Sequence, residues 1–486
     1  MIGYYIGRIL LVEAVLLLLP ALVALLYGES MVPYLTTAAA LLAAGALLSA
    51  RKPRRTTLFA RDGFAVVALA WLLMSAFGAL PFVLSGDIPN FIDAFFETVS
   101  GFTTTGSTIL TEVEPLTRAG LFWRSFTHWV GGMGVLVFVM AVLPMSGGQG
   151  MHLMRAEVPG PSVGKLVSRM RDTAKILYGI YAALTLVLMI LLMLGGMDLY
   201  EAAIHAFGTA GTGGFSNRNL SIGAYNSVYF DVVITVFMLV FGVNFNLYYF
   251  LLIRKFRDVF RSEELRWFLG IVVASAVVIA LNIMPMYGSF LTGLRYAFFQ
   301  VASIISTTGY ATADFNLWPT FSKTVLLLLM FVGGCAGSTA GGLKLGRVMI
   351  LTKASVADAK KMLHPNAVPS VRFEGKPLAD RTVRGAYQYI AVYVLVLGVS
   401  LLLLSLDGHG VETTITAVIT CFNNVGPGLD VVGPMGNFSA FSPAAKVLLA
   451  FDMLLGRLEI FPMLLLFAPS IWRRRVRNPE GREARF

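Results

Sequence analysis

The chain has 486 residues, of which 57% are hydrophobic and 13% charged, with a mean hydropathy of +0.74. Ordinary soluble domains carry about 25% charge, so a soluble globular protein is excluded. About ten apolar stretches of roughly 20 residues, each enough to cross a hydrocarbon core, mark an all-α polytopic membrane protein. The formal charge of +11 does not point to nucleic acid, because 30 of the 38 Lys and Arg residues lie in segments 51–61, 150–175, 254–266, 344–384 and 473–486, between or after spans.

By the positive-inside rule these segments face the cytoplasm. Segments 28–33, 86–119, 197–227, 286–322 and 407–443 carry only Arg118, Arg218 and Arg295 among them and face outward. The two sets alternate through ten crossings with both termini cytoplasmic, so the first apolar run is read as a retained span. Cys335 and Cys421 lie in apolar or Gly-rich context and support neither a disulfide nor a metal site.

In chain order, two spans (2–26 and 32–50) and a basic loop make up residues 1–60. Then a unit recurs four times: a long span, a short apolar segment ending in a Gly/Thr/Asn-rich turn, and another long span. The units occupy 61–150, 151–260, 261–355 and 356–486, the last including a cytoplasmic loop and a basic tail. The long spans are 63–84 and 120–145, 172–196 and 227–252, 266–285 and 322–351, and 384–406 and 443–470. The short segments are 91–102, 200–209, 293–305 and 411–422, and a segment of that length is expected to be re-entrant. Residues 94–106 (AFFETVSGFTTTG) match 297–309 (AFFQVASIISTTG) at seven of thirteen positions, an internal repeat.

The turns read TTTGS (103–107), AGTGGF (210–215), STTGY (306–310) and NNVGPG (423–428). Non-helical backbone at membrane depth is tolerated only where protein or a water-filled cavity satisfies it. Four such turns on one side can surround a single axis, where carbonyls replace the hydration shell of a monovalent cation and the short helices aim their negative ends at it. For any single turn, a simple helix break explains the residues equally well.

A second Gly-rich stretch, GGCAGSTAGG (333–342), interrupts the span after the third turn. Each Gly costs a helix about 1 kcal/mol relative to Ala, so five together are expected to unwind it and obstruct the path below the turns. Close helix packing through small residues is the other reading, since Gly333, Gly337 and Gly341 are spaced by four. In the last span, Arg457, Glu459 and Asp452 are costly charges. Arg457 either bonds the carbonyls freed by the 333–342 break, or stands as a positive charge beside the cation path, or joins the two acids in a structural pair.

Acids on the outward side, among them Asp93, Glu97, Glu112, Glu114, Asp198, Glu201, Asp314, Asp407, Glu412 and Asp430, outnumber the three bases there and would concentrate cations. The five histidines lack ligand spacing, and His205 is read as hydrogen-bonded packing. An intramembrane enzyme would need a nucleophile with a base, or paired metal-binding carboxylates, and neither pattern is present.

Together, the four turns, GGCAGSTAGGLK (333–344), HWVGGMG (128–134) and GRLEIF (456–461) resemble the Trk/Ktr/HKT family of potassium transporters over nearly the whole chain. The likeness is strongest to its bacterial potassium-uptake members. The resemblance implies about ten transmembrane helices with four re-entrant pore loops around one pseudo-fourfold pore. It assigns the potassium filter to the carbonyls of Thr105, Gly106, Thr212, Gly213, Thr308, Gly309, Val425 and Gly426. Because the second turn has tandem glycines, its register rests on Gly213 standing in line with the other turns.

The same resemblance makes Gly333, Gly334, Gly337, Gly341 and Gly342 an intramembrane gating loop with Arg457 beside it. It implies potassium as the transported ion, no cofactor bound by this chain, a homodimer in the bacterial inner membrane, and a cytosolic nucleotide-binding regulatory subunit of the TrkA type. An alternating-access symporter coupled to sodium or protons is the alternative, and it would need a second ion site at a buried carboxylate.

Overall fold

The computed structural model describes residues 1–51, 60–134, 170–366 and 370–469. Most of the basic segments 51–61 and 150–175, and all of 473–486, lie outside the described residues. Within them the chain is almost entirely helical, and a two-residue hairpin pairing Arg372–Phe373 with Lys376–Pro377 is the one sheet.

The N-terminal pair consists of Ile2–Leu16, continued by Leu18–Tyr27, and Val32–Ser49 running back beside it. Pro20 lacks the N–H that would bond Leu16, which accounts for the interruption at Leu17. Gly7 and Gly45 sit at the contact between the two arms: a Cβ on Gly7 would lie 2.7 Å from the Gly45 carbonyl oxygen, so the helices approach backbone to backbone.

Four times thereafter the chain runs through a helix, a short buried helix, a turn and another helix. The short helices are Phe91–Phe102, Leu199–Gly211, Phe290–Ile305 and Val411–Asn423, close to the expected segments. Their starts are written locally. Asn90 accepts from the amide of Ile92 at 2.8 Å and Asp198 from that of Glu201 at 2.6 Å, satisfying donors the first helical turn leaves free. The helices that precede them, Ala60–Gly78 with Leu80–Ser85, Met170–Leu194, Glu263–Tyr287 and Asp380–Leu404, form the periphery.

The helix after each turn departs from the expected continuous span. Val228–Gly242 meets Phe245–Leu252 at 94°. Thr320–Val332 gives way to a non-helical stretch before Leu345–Leu363, and Pro443–Arg457 breaks before Phe461–Leu466 with Glu459 and Ile460 at positive φ. Arg118–Gly132 ends just before the described residues do, and the rest of the expected span 120–145 lies outside them. Because these helices are broken, six described helices are long and apolar enough to cross a membrane, or seven counting the bent pair as one. The ten crossings expected from hydropathy are a count over the whole chain; that count reads through a bend and includes the span 120–145, part of which lies outside the described residues.

Candidate ion pathway

Each short helix ends in the same way. Thr104, Thr212, Thr307 and Asn424 take left-handed backbone, with φ of 55°, 57°, 55° and 54°. The next residue donates its amide five residues back: Thr105 to Ser100 at 2.9 Å, Gly213 to Gly208 at 2.9 Å, Thr308 to Ser303 at 2.8 Å and Val425 to Thr420 at 3.0 Å. This 6→1 bond is the Schellman closure that ends a helix while satisfying its freed carbonyls. A glycine at positive φ follows, at Gly106, Gly214, Gly309 and Gly426.

The second turn is therefore displaced by one from the sequence reading. Gly213 occupies the position of Thr105, Thr308 and Val425, Gly214 is the counterpart of the other glycines, and Thr212 matches the left-handed residue before them. The residue type alone could not separate Gly213 from Gly214, whereas the helix-closing bond does.

The turns close a ring. A Cβ on Gly106 would come within 3.0 Å of the Gly213 oxygen, on Gly214 of the Thr308 oxygen, on Gly309 of the Val425 oxygen and on Gly426 of the Thr105 oxygen. Each glycine backbone thus faces the carbonyl of the next turn, and the fourth returns to the first. Only glycine combines this φ with that approach. Side chains tie the turns as well: Thr103 to Thr105 and Ser306 to Thr308, each at 2.7 Å between hydroxyls, and Asn424 Nδ2 to Thr105 Oγ1 at 2.9 Å.

Groups behind the ring hold the outgoing strands. Glu97 accepts from Thr108 Oγ1, the Ile109 amide and Arg124 Nε, the last at 2.5 Å. Arg124 also donates to the Ser216 carbonyl at 3.0 Å and lies over the Phe215 ring. Glu97 was expected among acids at an outward mouth; it is instead buried in this network, where burial without Arg124 would be costly. Of the other acids, Asp93 pairs with Lys446 and Glu201 with Arg218. His205 is hydrogen-bonded to Glu201 O and Ser216 Oγ, as expected for packing. His128, from HWVGGMG, bonds Gly101 O through Nδ1 at 2.7 Å and accepts the Phe215 amide at Nε2, joining the first short helix to the segment that leaves the second turn.

The Gly-rich stretch is unwound. Gly333, Gly337, Gly342 and Lys344 have positive φ, and the loop docks on the bend in Val228–Gly242 and Phe245–Leu252. There the Cys335 amide donates to Gly242 O at 2.9 Å, Thr339 Oγ1 to Phe241 O at 3.1 Å, and the Phe245 amide to Gly337 O at 3.1 Å. A broken helix and a loop thus satisfy each other. The loop reaches the ring through Gly341, whose amide donates to Thr307 Oγ1 at 2.6 Å. Glu264 holds it from the other side, accepting from the Ala336 amide at 2.8 Å.

Arg457 binds the loop through the Thr339 carbonyl at 2.8 Å, and binds the carbonyls of Gly131 and Gly132, which end the helix after the first turn, at 2.5 and 2.8 Å. The two acids near it are engaged elsewhere: Glu459 pairs with Arg347 at 2.5 Å and Asp452 accepts from Ser400 Oγ at 2.7 Å. Of the three readings of Arg457, bonding to loop carbonyls describes these contacts. Sequence reasoning missed Arg124, Glu264 and the Gly242–Asn244 bend, because their partners lie in distant segments.

The family model described as TrkH, a cation transport protein, matches residues 30–474. The chain belongs to the TrkH family. Among its TrkH-family relatives, the Trk system potassium uptake protein TrkH of Salmonella typhimurium is 39% identical over 96% of this chain and 98% of that protein. The Trk system potassium uptake protein TrkG of Escherichia coli K12 is 36% identical over 93% of this chain and 94% of its own. The crystal structure of the potassium transporter TrkH from Vibrio parahaemolyticus superposes with a TM-score of 0.87 at 35% identity, covering 97% of this chain and 99% of that one. The fold is accordingly that of a helical TrkH-family membrane transport protein.

Proposed function

We propose that this chain takes up potassium across a bacterial inner membrane, by channel-like conduction through the ring of turns. The observation that carries the reading is the closed sequence of glycine-to-carbonyl approaches from Gly106 through Gly214 and Gly309 to Gly426 and back. Four equivalent turns with eight adjacent backbone carbonyls, from Thr105, Gly106, Gly213, Gly214, Thr308, Gly309, Val425 and Gly426, supply oxygen ligands that substitute for a cation's water. Thr212 stands one position before this set. The four short helices end at the ring, so their partial negative charge adds to the attraction.

The loop 333–342 serves as the gate, latched by Arg457. The relatives' names assign potassium uptake to a Trk system, which supports potassium as the ion and further components as partners. In this reading the chain works as a homodimer with a nucleotide-binding subunit of the TrkA type at the cytoplasmic face, and binds no cofactor itself. The units 61–150, 151–260, 261–355 and 356–486 each contribute one turn, after the two helices of 1–60.

Expression in a bacterial strain stripped of its own potassium uptake systems tests this. Growth at low potassium that requires the chain, and that is lost on Gly309→Asp, is expected. Growth restored equally by the variant would overturn the assignment of the ring.

A further inference from the structure

The four turns differ at the residue that precedes the ring glycine. Thr105, Thr308 and Val425 stand there in the first, third and fourth turns, each fully buried. Their side chains secure the turns: Thr105 Oγ1 meets Thr103 and Asn424, Thr308 Oγ1 meets Ser306, and Val425 joins an apolar cluster. The second turn has Gly213 in that place and so no side chain to secure it. Its backbone does not require glycine, because Gly213, unlike Gly214, lies outside the left-handed region.

The space is taken by His128. A Cβ on Gly213 would fall within 3.0 Å of three imidazole atoms, Cγ, Nδ1 and Cδ2. The imidazole is fully buried and comes from the helix Arg118–Gly132, in the unit before. Its hydrogen bonds fix it there. The Phe215 amide can only donate, so Nε2 accepts at 3.3 Å, and Nδ1 carries the proton that Gly101 O accepts at 2.7 Å. The imidazole also lies 4.2 Å from the Phe215 ring, centroid to centroid. Phe215 is held further by Arg124, 3.6 Å over its ring centroid, and by Tyr310 Oη, which donates to its carbonyl at 3.2 Å. The Gly213 oxygen faces Gly106 across the ring.

Protein interiors are close-packed, and a slot left by an absent side chain deprives its lining of contacts. We infer that His128 is a positioning residue for cation selectivity: its imidazole stands in for the side chain that the second turn lacks and so fixes the Gly213 carbonyl at the ring. It acts on the ion only through that backbone. Glycine at 213 is then dictated by the histidine and not by its own φ. This inference rests on the conduction reading above.

That reciprocity supplies the test. Gly213→Thr installs the residue of the first and third turns, but its side chain collides with the imidazole. His128→Ala empties the slot, and the double variant puts the threonine into the vacated space. His128→Gln keeps one donor and one acceptor. Rubidium and sodium flux would be measured for each variant as monodisperse protein in liposomes, under an imposed potential, with no other protein present.

Gly213→Thr and His128→Ala are each expected to pass cations with the preference for rubidium over sodium lowered by about fivefold, the scale of one lost hydrogen bond or contact. The double variant is expected to exceed Gly213→Thr by about threefold, the coupling of two residues in contact. His128→Gln should be more selective than His128→Ala. A histidine with a merely structural role would not make threonine at 213 better tolerated by its removal. A double variant no more selective than Gly213→Thr, or His128→Ala as selective as the parent, overturns the inference. Should Gly213→Thr not purify as a single species, His128→Ala decides against the parent and His128→Gln, and equal preference in all three overturns the inference. A parent that passes no cation under any imposed potential overturns the conduction reading and this inference with it.

Discussion

Arg457 donates to the carbonyl of Gly131, 326 residues earlier in the chain, at 2.5 Å, while its other terminal nitrogen holds Thr339 in the Gly-rich loop at 2.8 Å. One guanidinium thus joins the end of the helix after the first turn to the loop after the third. Its planar fork of donors suits several carbonyls at once, and lysine presents no such fork.

The first prediction concerns that tether. Arg457→Ala removes charge-assisted bonds worth about 1.5–3 kcal/mol each, so the loop loses its hold. Partner-independent rubidium flux should rise at least about tenfold. Arg457→Lys should fall between the two. Flux in the alanine variant no greater than in the parent, in a protein that elutes as a single species, would remove Arg457 from the gate.

The buried pair behind the ring makes a second prediction, on stability. Arg124→Ala leaves Glu97 buried without its counter-charge, and breaking such a pair costs about 3–5 kcal/mol. Glu97→Gln keeps the side-chain volume and one amide oxygen to accept from the Ile109 amide, with its NH2 able to donate to the Thr108 hydroxyl, and should cost less. Denaturation in detergent should rank parent above Glu97→Gln above Arg124→Ala, and an Arg124→Ala midpoint equal to the parent's would contradict the network.

A third prediction addresses coupling. Asp452 is buried, with one oxygen on Ser400 and the other unpartnered among the described residues. Asn accepts the same Ser400 bond, so Asp452→Asn should fold and should conduct rubidium without a sodium or proton gradient, as the parent does. Parent uptake that appears only with a co-ion gradient and vanishes in Asp452→Asn would instead establish a symporter with Asp452 as its ion site.

Much of this arrangement is local in sequence and so was legible. The pattern of threonine or asparagine before glycine, at the end of a dozen apolar residues, located all four short helices within a few positions, since capping and glycine chemistry act over one turn. The 333–342 break was legible for the same reason: five glycines in ten residues outweigh any apolar context. The register of the second turn was not, because Gly213 and Gly214 are chemically identical and only the bond from Gly213 to Gly208 distinguishes them. Nor was the bend at Gly242–Asn244, which lies within a continuous apolar run. It is stabilised by Cys335 and Thr339, about 90 residues away. Glu97 read as one of the acids of an outward mouth, and Arg124, inside the expected span 120–145, was not singled out until the fold brought the two together.

The ring is tested most directly at its third glycine. Gly309 has φ of 82°, and a Cβ there would strike the Val425 carbonyl and lie 2.9 Å from Pro427 Cδ. The measurement is potential-driven rubidium uptake against sodium, in liposomes without a co-ion gradient, for the parent and Gly309→Ala. The parent should accumulate rubidium in preference to sodium, and the variant should lose that preference by tenfold or more, about 1.4 kcal/mol of discrimination. Equal preference in parent and variant would contradict a carbonyl ring closed by Gly309.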